Sequence, residues 1–231
     1  MQPPPFEIPH PDADAVRQME KAWSRADLTR YLVRWQNSVL PDLPPAFFDY
    51  PTRALDLGCG LGRYILRESA RNPDTAYLGI DKGSFRGGSM QERIEKAGRL
   101  NLFGLHTNVI PMLPKFPAAS LDQITIFYPN PWWPPKHRQK RWSYHPILPL
   151  LAKLIKPNGT LVIASNEAFY LGEFRYALAH HPHLGSMMET YAGPIDITEP
   201  EAGRTHFEVK FLETGVPCGE LRFKKRHHNQ N

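Results

Sequence analysis

The spacing of hydrophobic positions changes twice along the chain. Between Asp12 and Leu40, Val16, Met19, Trp23, Leu28, Leu32 and Trp35 recur at helical spacing, with one break near Ser24 to Asp27. Ahead of this segment "MQPPPFEIPHPD" is too proline-rich for regular structure and predicts a loose arm, and behind it "PDLPP" predicts a linker. Short apolar runs then alternate with helical patterns. The stretches 53–58, 76–81, 101–109, 120–128 and 159–165 read as strands, and 63–72, 84–98, 143–155 and 167–181 as helices. This alternation predicts an α/β fold whose open, mostly parallel sheet is covered on both faces. The final "THFEVKFLETGVPCGELRF" has the alternation and glycine-containing turn of a hairpin. The expected division is an N-terminal arm and helical extension at 1–49, one main domain at 50–226 and a tail at 227–231.

Composition narrows the class. With 231 residues and 41% hydrophobic content the chain can bury a sizeable core, and 24 prolines argue for short elements joined by stiff loops, not a helical bundle. The formal charge of +5 suits a polyanionic partner or simple solubility. Cys59 and Cys218 are the only cysteines and have no metal-ligand spacing, so no metal is expected. No leader or long apolar run is present, which favours a cytoplasmic protein without a membrane partner.

Two stretches carry chemistry. "LDLGCGLGRY" joins the first strand to the first helix, and Gly58, Gly60 and Gly62 let the backbone turn sharply and approach a ligand. Asp81 ends the second strand, where an acid accepts hydrogen bonds from ribose hydroxyls. Glycines at every second position, preceded by Asp56, resemble motif I of the class I methyltransferases. The resemblance implies S-adenosyl-L-methionine (SAM) as cofactor, with Asp56 near its ammonium and Asp81 on its ribose. In "HTNV" (106–109), Thr107 or Asn108 either meets the adenine or caps a turn.

The second stretch is "YPNPWWPPKHRQKRW" (128–142), at the carboxyl end of the fourth strand, where Pro129 and Pro131 preset the loop around Asn130. Pro129-Asn130-Pro131-Trp132 followed by a basic arm is similar to the Pro-Asp-Pro-Trp motif of the bacterial tRNA (guanine-N7)-methyltransferases. "ASN" (164–166) stands where that family has Ala-Thr-Asp, and its Thr-x-Phe-Glu is intact as "THFE" (205–208). The match runs in order from about Arg53 to Phe223. It implies a doubly wound, mostly parallel seven-stranded sheet of Rossmann-like type with a C-terminal antiparallel hairpin. It also implies methyl transfer to guanine N7 in the variable loop of tRNA, while the sequence leaves monomer and homodimer both open.

By the same resemblance Asn130 is catalytic and lies against the cofactor. Trp132, Lys136, His137, Arg141, Asn166, Thr205, His206, Phe207 and Glu208 bind substrate, with Glu208 in the guanine and cofactor pocket. The blander readings are core tryptophans at 132 and 133, a solvated basic face at 136–141, and a plain strand at 205–211.

Asn130 and Asn166 replace family carboxylates, which would accept from guanine N1–H and N2–H, and Pro134 replaces a family lysine. Two other functions therefore stay open. One is a SAM- and RNA-binding protein with little or no catalysis; the other is an exocyclic amine or amide N-methyltransferase. If Asn130 is a weakened acid, Asn130→Asp raises N7 transfer. If it has its own role, that change lowers transfer.

Overall fold

A computed structural model of the protein describes residues 6–227; the first five residues of the predicted arm and residues 228–231 of the predicted tail lie outside it. The helical extension folds as α1 (Ala13–Ser24) and α2 (Leu28–Leu32), capped by Asp12 and Asp27, whose carboxylates accept from Ala15 and Arg30 backbone N–H groups. The break at 24–27 is where the hydrophobic spacing placed it. The arm differs from expectation, because Phe6 and Ile8 pack against the main core. A Cβ at Gly172 would lie 2.1 Å from the Pro9 carbonyl oxygen, so glycine there admits the arm against the body.

Seven strands form one sheet in the order β3-β2-β1-β4-β5-β7-β6. They are β1 (Thr52–Leu57), β2 (Thr75–Asp81), β3 (Leu102–His106), β4 (Leu121–Phe127), β5 (Ile155–Ser165), β6 (Met187–Pro194) and β7 (Gly219–Lys225). The first five pair in parallel, while β7 runs antiparallel to both β5 and β6. Strand order reverses between β1 and β4, which opens a crevice at their carboxyl ends.

The larger core lies on one face, where Leu55, Leu57, Leu78, Ile80, Leu161 and Ile163 meet α6 (Leu148–Leu154) and α7 (Ala168–His180). On the opposite face Ala54 and Tyr77 meet α3 (Arg63–Arg71) and α4 (Ser84–Ala97). That second layer stops short. Over β4, β5 and β7 the face opens into a cleft of about 490 Å³ whose floor includes Gln123, Thr160, Val162 and Arg222. Full cover of both faces, expected from the alternation, is thus limited to the β3-β2-β1 half.

Two local readings are corrected. Residues 143–155 are not one helix: a 3-10 turn at Trp142–Tyr144 precedes α6, because Pro146 excludes His145 from helical backbone. The C-terminal antiparallel pair is β6 with β7, and 206–213 is a helix, α8 (His206–Glu213). Thr205 caps α8 by accepting from the Glu208 N–H at 3.0 Å, and this Thr-x-x-Glu start overrides the period-two pattern. Helix α5 (Val109–Met112) is a single turn after β3.

Candidate active site

The glycine loop joins β1 to α3 at the carboxyl edge of the sheet, and Gly58 N–H donates to the Ile80 carbonyl of β2 at 2.8 Å. Gly58, Gly60 and Gly62 have φ of +76°, +59° and +74°, a region that side-chain-bearing residues enter only with strain. No protein atom lies within 4 Å of where a Cβ would stand on Gly58 or Gly60, so both leave open space along the loop. Asp81 ties the loop to β2, accepting from Gly60 N–H at 2.9 Å and Gly83 N–H at 2.6 Å. Two of the roughly four acceptor positions on its carboxylate are left for hydroxyl donors.

Asp56 sits deeper. Its carboxylate is 3% exposed and accepts from the Thr125 hydroxyl at 2.7 Å across the β1–β4 pair. Burial pushes its pKa up to about 7, with the Thr125 bond opposing and the charge of Asp81 reinforcing the rise. A cation bound nearby would restore full ionisation. Asn108 is the N-cap of α5, its side-chain oxygen accepting from Ile110 N–H at 3.0 Å, so the capping alternative is the one observed. Thr107 N–H donates to the Asp81 carbonyl at 3.0 Å, which sets the β3 terminus beside the ribose-binding candidate.

Beside this loop, across β1, the chain leaves β4 in an unusual shape. Tyr128 and Trp132 have φ of +52° and +47°, a costly region for aromatic residues that persists only when the surroundings enforce it. Five hydrogen bonds enforce it here. Tyr128 N–H donates to the Ala164 carbonyl at 2.7 Å, and its hydroxyl donates to Glu208 at 2.8 Å. Asn130 Oδ1 accepts from Trp132 N–H at 3.0 Å. Arg141 donates to the carbonyls of Pro131 (2.7 Å) and Trp132 (3.2 Å).

Arg141 is therefore turned inward, whereas the family resemblance implied that it binds substrate. It is buried, paired with the equally buried Glu173, and its guanidinium lies 4.8 Å from the Phe169 ring centre. Glu173 also accepts from the Ser143 hydroxyl (3.0 Å) and the Tyr144 hydroxyl (3.3 Å). Burial raises the pKa of Glu173, and the Arg141 charge is the first influence opposing that rise.

The exposed members of the arm are Lys136 and Lys140, with His137 half-buried between them. The Lys140 ammonium stands 4.4 Å from the centre of the half-buried Trp132 ring, and His137 meets the same ring edge-on. Burial lowers the His137 pKa, and Lys140 and Lys136 lower it further. Trp133 is 59% exposed. Arg138 pairs with Asp14 of α1 at 2.6 Å.

Asn166, at the end of β5, donates its side-chain amide to Glu167 at 2.9 Å. Motif matching misses this carboxylate, since Glu167 falls one residue beyond the family's acid. It is half-buried, and burial raises its pKa despite the Asn166 bond. Register pairs Phe127 with Ala164, so the loops after β4 and β5 emerge side by side.

Glu208 lines neither the cleft over β4, β5 and β7 nor an open surface. It is fully buried, and both oxygens accept from Arg204 and one from Tyr128, so it braces Tyr128 from behind. Burial works to raise its pKa, but the hydrogen bonds and charge of Arg204 outweigh it and hold it low. Arg204 also pairs with Glu220. Thr205 is spent on the cap, while His206 and Phe207 face outward at the α8 start. Among the functional residues, Tyr128, Glu173 and Arg204 carried no sequence signal of their own.

Comparison with known proteins decides the class. A family model described as a putative methyltransferase matches residues 52–221, most of the chain. The chain belongs to this methyltransferase family. Its relatives include proteins named tRNA (guanine-N(7)-)-methyltransferase from Nitrosococcus oceani (28% identical, covering 75% of this chain and 71% of the relative) and Nitrosomonas eutropha (28%, 86% and 87%). Among solved structures, a 16S rRNA (adenine(1408)-N(1))-methyltransferase variant with cosubstrate SAM from Catenulisporales acidiphilia shares the fold. Its TM-score is 0.58 at 17% identity, covering 84% of this chain and 96% of that one. An antibiotic-related methyltransferase gives 0.57 at 18%, covering 82% and 97%.

The residues present fit SAM as the methyl donor of this methyltransferase. Open space above Gly58 and Gly60, free acceptor positions on Asp81 and a buried Asp56 that a cation would ionise suit a ligand with ribose hydroxyls and an ammonium. Among the described residues no cluster of three or more His, Cys, Asp or Glu side chains could hold a metal ion, and no helix is long and apolar enough to cross a membrane.

Proposed function

We propose that this methyltransferase modifies N7 of a guanine in tRNA. The observation that carries the reading is the β4 loop, held in left-handed geometry beside the glycine loop at the crevice where strand order reverses. The names borne by its relatives support it.

SAM, when bound, supplies an electrophilic sulfonium methyl. Guanine N7 carries an in-plane lone pair, so no residue of the chain has to remove a proton from it, and the protein's work is alignment. Asn130 has given its carbonyl oxygen to Trp132, which leaves its amide NH2 exposed as the group that faces a substrate. A donor at that place suits guanine O6, the acceptor adjacent to N7. Glu167 supplies the carboxylate that Asn130 and Asn166 lack, accepting from N1–H and N2–H and opposing the charge that develops on the ring. Glu167→Gln lowers kcat/KM for tRNA by about tenfold or more and leaves SAM affinity unchanged; an unchanged kcat/KM rejects that role.

The reading is tested by incubating the protein with labelled SAM and unmodified tRNA, then cleaving the RNA chemically at 7-methylguanosine. Scission at a single guanosine is the expected result. Label in an exocyclic amine would favour the amine reading, and binding of both ligands without transfer would favour a silent binder.

A further inference from the structure

A second basic feature lies on the helical extension. Lys21, Arg25, Arg30 and Arg34 line a cleft of about 560 Å³ between α1, α2 and the Gln139–Pro146 segment that follows the loop after β4, here called the acceptor loop. All four cations are exposed, and none forms an ion pair among the described residues. The one acid in the cleft, Asp27, accepts from the Arg30 backbone N–H as the α2 cap.

His145 gives an independent sign that a ligand belongs there. It lines the cleft, is 5% exposed, and its Nε2 has no hydrogen-bond partner. Nδ1 accepts from Ile147 N–H at 3.2 Å, so Nε2 carries the proton and is a buried donor without an acceptor. Burial, then the charge of Arg34, lowers its pKa to about 4, so the ring is neutral at physiological pH. The Arg34 guanidinium stands 4.1 Å from the centre of the Tyr31 ring, which in turn meets His145 edge-on at 4.3 Å.

The cleft is also rigidly joined to the acceptor loop. Trp23 Nε1 donates to the Ser143 carbonyl at 2.9 Å, and Arg138 pairs with Asp14. We propose that this cleft is a second docking site for the RNA substrate, in which phosphodiester groups meet Arg25, Arg30 and Arg34 while Lys136 and Lys140 hold the strand near the acceptor loop. The proposal rests on the tRNA reading above. The helical extension thereby fixes the distance between the methylated base and a remote stretch of backbone.

The test compares wild type with an Arg25→Ala, Arg30→Ala, Arg34→Ala variant, measuring tRNA affinity from about 50 to 300 mM salt, SAM affinity and thermal unfolding. Each lost phosphate contact reduces the slope of log K against log salt by about 0.7–0.9, so three reduce it by about 2–3. The expected result is that loss with SAM affinity and melting temperature unchanged. Because the three side chains are exposed and form no ion pair among the described residues, a lowered melting temperature with an unchanged slope counts against the proposal. Wild type that binds tRNA with the same slope as the variant overturns the cleft and leaves the methyltransferase reading standing. Wild type that binds no tRNA overturns both. Tripolyphosphate distinguishes an RNA surface from a small-anion pocket: micromolar binding that the variant loses, with tRNA binding intact, also overturns the proposal.

Discussion

The glycine loop after β1 and the proline loop after β4 stand side by side at one edge of the sheet and are held by opposite means. The first is made of backbone: three left-handed glycines, with Asp81 accepting two of the local N–H groups. The second puts aromatic residues into the same left-handed region and holds them with buried charge, Arg141 with Glu173 on one side and Arg204 with Glu208 on the other. A loop that must admit a flat, mobile ligand against its backbone benefits from having no side chains. One that must present particular groups to a macromolecule benefits from being locked before the substrate arrives.

Breaking the lock is the largest perturbation. Arg141→Ala leaves Glu173 buried without its ion partner and frees the Pro131 and Trp132 carbonyls, which costs about 3–5 kcal/mol and lowers the melting temperature by roughly 10 °C. Glycine-loop geometry is retained in that variant, so SAM affinity measured calorimetrically below the transition stays within about twofold of wild type. Loss of SAM binding in the folded variant would mean the two loops are one unit.

Gly60→Ala perturbs the other side. The new Cβ meets no protein atom but requires φ of +59°, so stability falls by only about 1–2 kcal/mol. SAM affinity drops by at least about tenfold, because the methyl group occupies the space left for the ligand. A SAM affinity equal to wild type would remove the loop from the cofactor site.

The buried end of the same half is tested by a pH dependence. Asp56 has a folded pKa of about 7, above its unfolded value, so its protonated form favours the fold. That contribution is complete below about pH 4 and is lost as pH rises toward about 7. Asp56→Asn, measured without SAM, removes it. The melting temperature of wild type should therefore fall relative to the variant between about pH 5 and pH 8, and parallel curves would show that Asp56 titrates normally.

Most of the cofactor half was legible in the sequence, because its signals are local: a glycine spacing, an acid one strand later, and apolar runs of strand length. The acceptor half was legible only as a motif. Its stabilising partners come from α7 and α8, far along the chain, and Glu173 reads as an ordinary helical charge until the fold buries it. Arg141 misled for the same reason: a cation in a basic arm reads as a substrate contact until a buried carboxylate is found beside it. The segment from Thr205 misled differently, since its capping signature was present but the alternation around it suggested a strand.

Asn130 is where the two ways of reading the molecule diverge most. Beside family members it resembles a lost acid; in the folded loop its oxygen closes a turn, and its NH2 is the free group. Asn130→Asp keeps an oxygen for Trp132 N–H and exchanges only that free group, from donor to charged acceptor. The decisive measurement is the single-turnover rate of methyl transfer to tRNA, with SAM and tRNA both saturating, for this variant against wild type. A fall of about tenfold or more, with an unchanged melting temperature, is the predicted result. A rate that rises would mean that the asparagine is a weakened acid after all.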